Sequence, residues 1–212
     1  MSIFKINPSN PESELIKKAA DILLQEKAII HPTETVYGIA ALATSEIAIH
    51  QVLEIKGRDL KHPFSIMVTD IREMLEWTGL SESWLEKWLQ RVFPAPLTVL
   101  LPRKKELPNP YWNQFPLLGF RLPDHVLSQR LLQAVGSPII TTSANLTGDP
   151  PANSFNELSP ELIKKIPLVL DGGKTFTQQP STIIKVDLET RKLELVRPGS
   201  LDVKSLSNGF EK

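Results

Sequence analysis

Short runs of small hydroxyl or amide side chains, broken by Gly or Pro, recur where apolar stretches of this sequence end. They are Pro32-Thr33-Glu34-Thr35, Thr141-Thr142-Ser143-Ala144-Asn145, Asp171-Gly172-Gly173, Pro180-Ser181-Thr182 and Arg197-Pro198-Gly199. Hydroxyls and exposed backbone N–H groups hold phosphate and carboxylate oxygens. Any one of these segments is accounted for as a turn, because Ser, Thr, Asn and Gly favour turns on their own account. Their accumulation beyond strand ends is what points to a ligand site. Two features add positive charge. Lys56-Gly57-Arg58 closes a predicted helix, where cations gain about 0.3–1 kcal/mol from the helix dipole alone. The functional alternative is a point charge and a fork-shaped donor aimed at a polyphosphate or a carboxylate. Arg121 stands inside the apolar run Leu118–Leu122. A buried Arg needs an anionic partner, supplied by the protein or by a ligand.

Other chemistries find little support in the residues. The sequence has no Cys, which removes disulfides, thiolate metal sites and Cys nucleophiles. It contains neither a P-loop nor a G-x-G-x-x-G fingerprint, and no G-x-S-x-G elbow. His31, His50, His62 and His125 lack zinc-hydrolase spacing, and no metal ligands are assigned. Lys plus Arg is 24 and Asp plus Glu is 24, so the formal net charge is zero, which weighs against a protein that coats nucleic acid. Trp84 and Trp88 share a predicted helix face with Leu85 and read as packing rather than as a base-stacking platform. No apolar run suits a membrane span, and the N-terminus lacks a basic stretch followed by an apolar core. The expected compartment is the cytosol.

The elements that must position these residues alternate. Strands are predicted at Ile3–Ile6, Ala28–His31, Phe64–Val68, Leu97–Leu101, Leu118–Leu122, Pro138–Thr142, Leu168–Leu170, Ser181–Val186 and Leu193–Val196. Helices are predicted from Asn10-Pro11 to about Lys27, from Thr44 or Ser45 to Lys56, from Asp70, from Ser81, from His125 to Val135, and from Ser159-Pro160. Residues 33–38 read as a polar turn. With 212 residues and 41% hydrophobic content, this is one α/β domain with a mixed sheet.

Taken in order, the motifs resemble those of the YrdC-like family. His31-Pro32-Thr33-Glu34-Thr35-Val36-Tyr37-Gly38 is similar to its PT[DE]TVYGL signature and Lys56-Gly57-Arg58 to its K-x-R. Pro94-Ala95-Pro96-Leu97-Thr98 resembles its PGPLT, and Gly119-Phe120-Arg121-Leu122-Pro123 its G-[VF]-R-x-P. Thr142-Ser143-Ala144-Asn145, with Gly148 and Pro151, resembles its SAN-x-SG-x-P. Pro180-Ser181-Thr182-Ile183-Ile184 and Val196-Arg197-Pro198-Gly199 complete the series. It runs from about residue 31 to residue 199.

The resemblance implies a single-domain YrdC-like twisted mixed sheet with flanking helices and a concave, positively lined cavity. It implies synthesis of L-threonylcarbamoyladenylate from L-threonine, bicarbonate and ATP, with release of pyrophosphate. Separate proteins then transfer the threonylcarbamoyl group to tRNA, and Mg²⁺ arrives with ATP. Carried over by resemblance, Lys56 and Arg58 act on the phosphates and the carbamate. Arg58, His62, Thr98, Ser143, Asn145 and Arg197 hold ATP. Thr35, Met67, Arg121, Thr141 and Ser181 hold threonine, with Arg121 expected on its carboxylate in a two-pronged contact. Met67 stands where the family often has His, His62 where Asn is common, Asp59 where Pro is frequent, and Ala95 replaces a Gly. These changes fall mainly on the amino-acid side. Two alternatives stay open: a paralogue with another carbamoyl-type substrate, and a module that binds tRNA or double-stranded RNA weakly on the same concave surface.

Overall fold

The computed structural model describes residues 1–57, 63–107 and 109–206. Along the chain run β1 (Ser2–Lys5), α1 (Ser13–Leu24), β2 (Ile29–His31), β3 (Gly38–Leu42), α2 (Glu46–Lys56), β4 (Ser65–Met67), α3 (Ile71–Thr78), α4 (Ser83–Val92) and β5 (Leu97–Pro102). They are followed by β6 (Leu117–Arg121), α5 (Val126–Val135), β7 (Ile139–Ser143), α6 (Pro160–Lys164), β8 (Leu168–Asp171), β9 (Thr182–Asp187) and β10 (Lys192–Arg197). All the strands join one mixed sheet in the order β1-β8-β2-β3-β7-β4-β6-β5-β9-β10. This is the expected α/β class.

Local chemistry sets most boundaries. Ser45 caps α2 by accepting from the Ala48 N–H, and Asp70 caps α3 by accepting from Glu73. Gly57 ends α2 at φ 57°, a left-handed conformation that favours glycine. The first helix starts later than the Asn10-Pro11 signal suggests. Asn7 Oδ1 accepts from the N–H groups of Ser9 and Asn10 and holds that stretch as a turn. Likewise α4 begins at Ser83 rather than at a Ser81 cap.

Strand β3 lies partly within the predicted polar turn and was not expected as a strand. Its sequence Gly-Ile-Ala-Ala-Leu carries little strand propensity, but every residue is buried between β2 and β7. Trp88 is buried, as its helix face predicted, and its Nε1 donates to the Leu206 carbonyl.

Register then builds a floor for a site. Ala40 pairs with Thr141, Thr141 with Ser65, Ser65 with Gly119, and Gly119 with Leu100, which puts these side chains in one row across five strands. The row is kept low at Gly119. A Cβ there would lie 3.0 Å from Thr98 Cγ2 and 3.2 Å from Leu100 Cδ2.

Candidate active site

Above this floor is a cavity of about 690 Å³. Its charged lining residues, among those described, are Lys56, Arg121 and Arg197, and no Asp or Glu lines it. Hydroxyls from Thr33, Thr35, Ser65, Thr98, Thr141 and Ser181 supply most of the remaining polarity. Segments far apart in sequence therefore meet as one anion-seeking surface.

Lys56 is supplied by the last turn of α2. It is buried, and its Nζ donates to the Ser143 carbonyl at 2.6 Å and to Asn145 Oδ1 at 3.4 Å. Thr147 Oγ1 donates to the Lys56 carbonyl at 2.9 Å, so the helix end and the segment after β7 hold each other. Asn145 turns its Nδ2 to the carbonyls of Leu146 and Asp149. Asn145 is thus a neighbour of Lys56 rather than a lining residue.

Arg121 ends β6 and is buried. Its Nη2 donates to Glu34 Oε1 at 2.5 Å and to Thr35 Oγ1 at 3.2 Å. Thr33 fixes which way Thr35 points. The Thr33 hydroxyl donates to the Val36 carbonyl at 2.7 Å, so in its 2.9 Å contact with Thr35 it accepts. The Thr35 oxygen is then left to receive Arg121. The anion satisfying Arg121 is thus Glu34, an internal carboxylate, where the sequence reading favoured a ligand. Glu34 stands in the turn that follows β2, three residues past His31, and the available signal was an acid in a turn next to a short buried strand.

On β5, the strand next to Arg121, Thr98 shares a 2.8 Å hydroxyl contact with Ser181, and Arg197 Nη2 donates to the Ser181 carbonyl at 2.8 Å and to its Oγ at 3.2 Å. Partial burial, with a smaller contribution from the positive charge of Arg121, lowers the Arg197 pKa. The two guanidiniums therefore lie near enough to act on each other. Tyr37, also on the lining, accepts from the Gly172 N–H and donates to the Gly173 carbonyl, tying the loop after β8 to the site. Burial raises its phenol above the ordinary range.

Of the residues expected at the site, Lys56, Thr98, Ser143, Arg197, Thr35, Arg121, Thr141 and Ser181 line this one cavity. Arg58 and His62 lie outside the described residues. Met67 is a correction in placement: it pairs in register with Arg121 but is fully buried in the apolar core and does not line the cavity. Thr33, Tyr37, Ser65 and Thr147 line it without having been singled out.

Among proteins of known family, the one described as "Telomere recombination", which groups Sua5, YciO and YrdC, matches residues 21–199. The chain belongs to the Sua5/YciO/YrdC family. A family member from Methanocaldococcus jannaschii named "Putative threonylcarbamoyl-AMP synthase" is 33% identical over 209 residues, covering 97% of this chain and 96% of its own. The crystal structure of P. abyssi Sua5 complexed with L-threonine superposes with a TM-score of 0.89 at 28% identity, over 99% of this chain and 61% of that one. The crystal structure of E. coli YciO gives 0.81 at 27% identity, over 97% of this chain and 98% of its own. The ten-stranded mixed sheet is therefore the family's fold.

Proposed function

We propose that the protein condenses L-threonine, bicarbonate and ATP into L-threonylcarbamoyladenylate and pyrophosphate, the activated intermediate for threonylcarbamoyl modification of tRNA. The observation that carries this reading is the composition of the cavity. Three cations and a lining of hydroxyls, without a carboxylate among the described residues, suit a site that gathers anions. Threonine's amine first adds to bicarbonate carbon with loss of water. A carbamate oxygen then attacks the α-phosphate of ATP, and the bond to pyrophosphate breaks. Nucleophile and electrophile are both anionic, so the protein's work is to hold them in line and offset their charge.

In this reading Arg197, Thr98 and Ser143 hold the nucleotide, and Asn145 acts by positioning Lys56. Thr35, Thr141 and Ser181 hold threonine together with Arg121. Lys56, held against the Ser143 carbonyl, faces the phosphates and the carbamate. Hydroxyls and cations are poor sole ligands for a hard divalent ion, so Mg²⁺ enters on the ATP phosphates. Incubation with ATP, bicarbonate and radiolabelled threonine tests the reading: a threonine-dependent adenylate and stoichiometric pyrophosphate are expected, and their absence rejects it.

One observation favours a second reading. Met67 brings no hydrogen-bonding group to the amino-acid side and is sealed in the core. A family enzyme that carries another carbamoyl acceptor fits that feature, and acceptor-dependent pyrophosphate release across a panel of amino acids and carbamoyl compounds separates the two.

A further inference from the structure

The Arg121 guanidinium is already committed on one side. Among the described residues both of its hydrogen bonds leave from Nη2, to Glu34 Oε1 and to Thr35 Oγ1. A nitrogen of this kind has two hydrogens, so Nη2 is fully occupied within the protein. A fork-shaped grip on a carboxylate uses either the Nε/Nη2 edge or the Nη1/Nη2 edge, and each requires an Nη2 hydrogen. An incoming carboxylate is therefore met by one prong unless Glu34 or Thr35 releases its bond. The charge is committed as well. Glu34 is 4% exposed and does not line the cavity, so its carboxylate cancels the guanidinium from behind without facing a ligand. Arg197 differs: among the described residues it makes hydrogen bonds to Ser181 and no ion pair. One cavity thus holds a neutralised guanidinium and an uncompensated one.

We propose that Glu34 is a specificity-determining residue: by pairing with Arg121 from behind, it keeps that guanidinium for a net-neutral amino acid and leaves polyanionic phosphate to the unpaired Arg197. The proposal rests on the reading that the cavity binds an amino acid beside a nucleotide. A paired charge presents only a dipole to its surroundings, which attracts a zwitterion adequately and a polyphosphate weakly. Unpaired and partly desolvated, the same guanidinium would draw a polyphosphate strongly. Without Glu34 the two substrates would compete for Arg121.

The experiment is calorimetric titration of the unmodified chain and of Glu34→Gln with inorganic pyrophosphate and with L-threonine, singly and in competition. The unmodified chain is expected to bind the two independently. Glu34→Gln is expected to bind pyrophosphate about tenfold more tightly and to lose independence, with pyrophosphate now displacing threonine. A merely structural role for Glu34 would weaken both ligands and tighten neither. Glu34→Asp keeps the charge but withdraws the carboxylate, so pyrophosphate should tighten by less than in Glu34→Gln. Should Glu34→Gln fail to fold, the unmodified chain still decides: threonine affinity should be nearly insensitive to salt up to about 0.5 M, whereas pyrophosphate affinity should fall steeply. Unchanged pyrophosphate affinity in folded Glu34→Gln, or equal salt sensitivity of the two ligands, overturns the proposal. Failure of the amino-acid reading looks different: the unmodified chain would bind no threonine, yet Glu34→Gln would still gain affinity for pyrophosphate.

Discussion

Arg121 and Glu34 form a buried pair in which each side chain is the other's main compensation. Removing one leaves the other as an uncompensated charge, which costs about 3–5 kcal/mol. Arg121→Ala is therefore expected to lower the unfolding free energy by that order, and the double variant Arg121→Ala/Glu34→Gln to recover much of it. Urea unfolding of both variants checks this; a single variant as stable as the parent would mean that Glu34 is not the partner that matters. A second buried group lies close by. His31 is fully buried, and neither ring nitrogen has a partner at hydrogen-bond geometry among the described residues. Burial, aided by the charges of His125 and Arg121 and opposed by the Pro32 backbone, pushes its pKa from 6.5 down to about 3. His125 is shifted in the same direction, again mainly by burial. A depressed imidazole pKa means that the unfolded chain binds the proton first as pH falls. Stability is thus unaffected above pH 6.5 and declines below it, towards about 1.4 kcal/mol per pH unit for a fully shifted group. His31→Leu should flatten that decline between pH 6 and pH 4, roughly. An unchanged slope in denaturant titrations across this range would remove His31 from the account.

Among the elements, α2 and the segment after β7 form the joint on which Lys56 depends. The Lys56 side chain reaches Ser143 and Asn145, and Thr147 returns to the Lys56 carbonyl. Lys56→Ala should therefore reduce turnover strongly and also cost about 1–3 kcal/mol of stability, because a buried carbonyl loses its charged donor. Pyrophosphate release and thermal unfolding measured together test this, and near-normal release would return Lys56 to a purely structural role. The joint shows what could be read in advance. Caps and glycines announced both ends of α2, because the signals for a helix end are local. Strand β3 was hidden, since an Ala-rich run becomes a strand only through the neighbours that bury it. The need of Arg121 for an anion was legible from its apolar surroundings, but the choice of Glu34 was not. That choice depends on β6 meeting the loop after β2, a contact across 87 positions of sequence that no local pattern encodes.

At the scale of the whole molecule, the sheet order does what the sequence order does not. Strands β3, β7, β4, β6, β5, β9 and β10 are consecutive neighbours, so motifs spread from residue 33 to residue 197 open onto one cavity. Ordered motif similarity made that convergence readable, whereas composition and periodicity reached only the fold class. The same arrangement bears on nucleic acid. Lys and Arg balance Asp and Glu at 24 each, and two of the three lining cations, Lys56 and Arg121, are buried. Affinity for a phosphate backbone grows with the number of phosphates that surface cations neutralise, and each contributes close to one unit to the salt slope. A chain of zero net charge, with part of its positive charge directed inward, has few cations to offer a helical backbone. Filter binding with tRNA is therefore expected to show weak retention that disappears by about 0.15 M salt, with a shallow logarithmic slope. A steep slope with retention persisting at about 0.3 M would reveal a surface patch of phosphate contacts and favour the RNA-binding alternative.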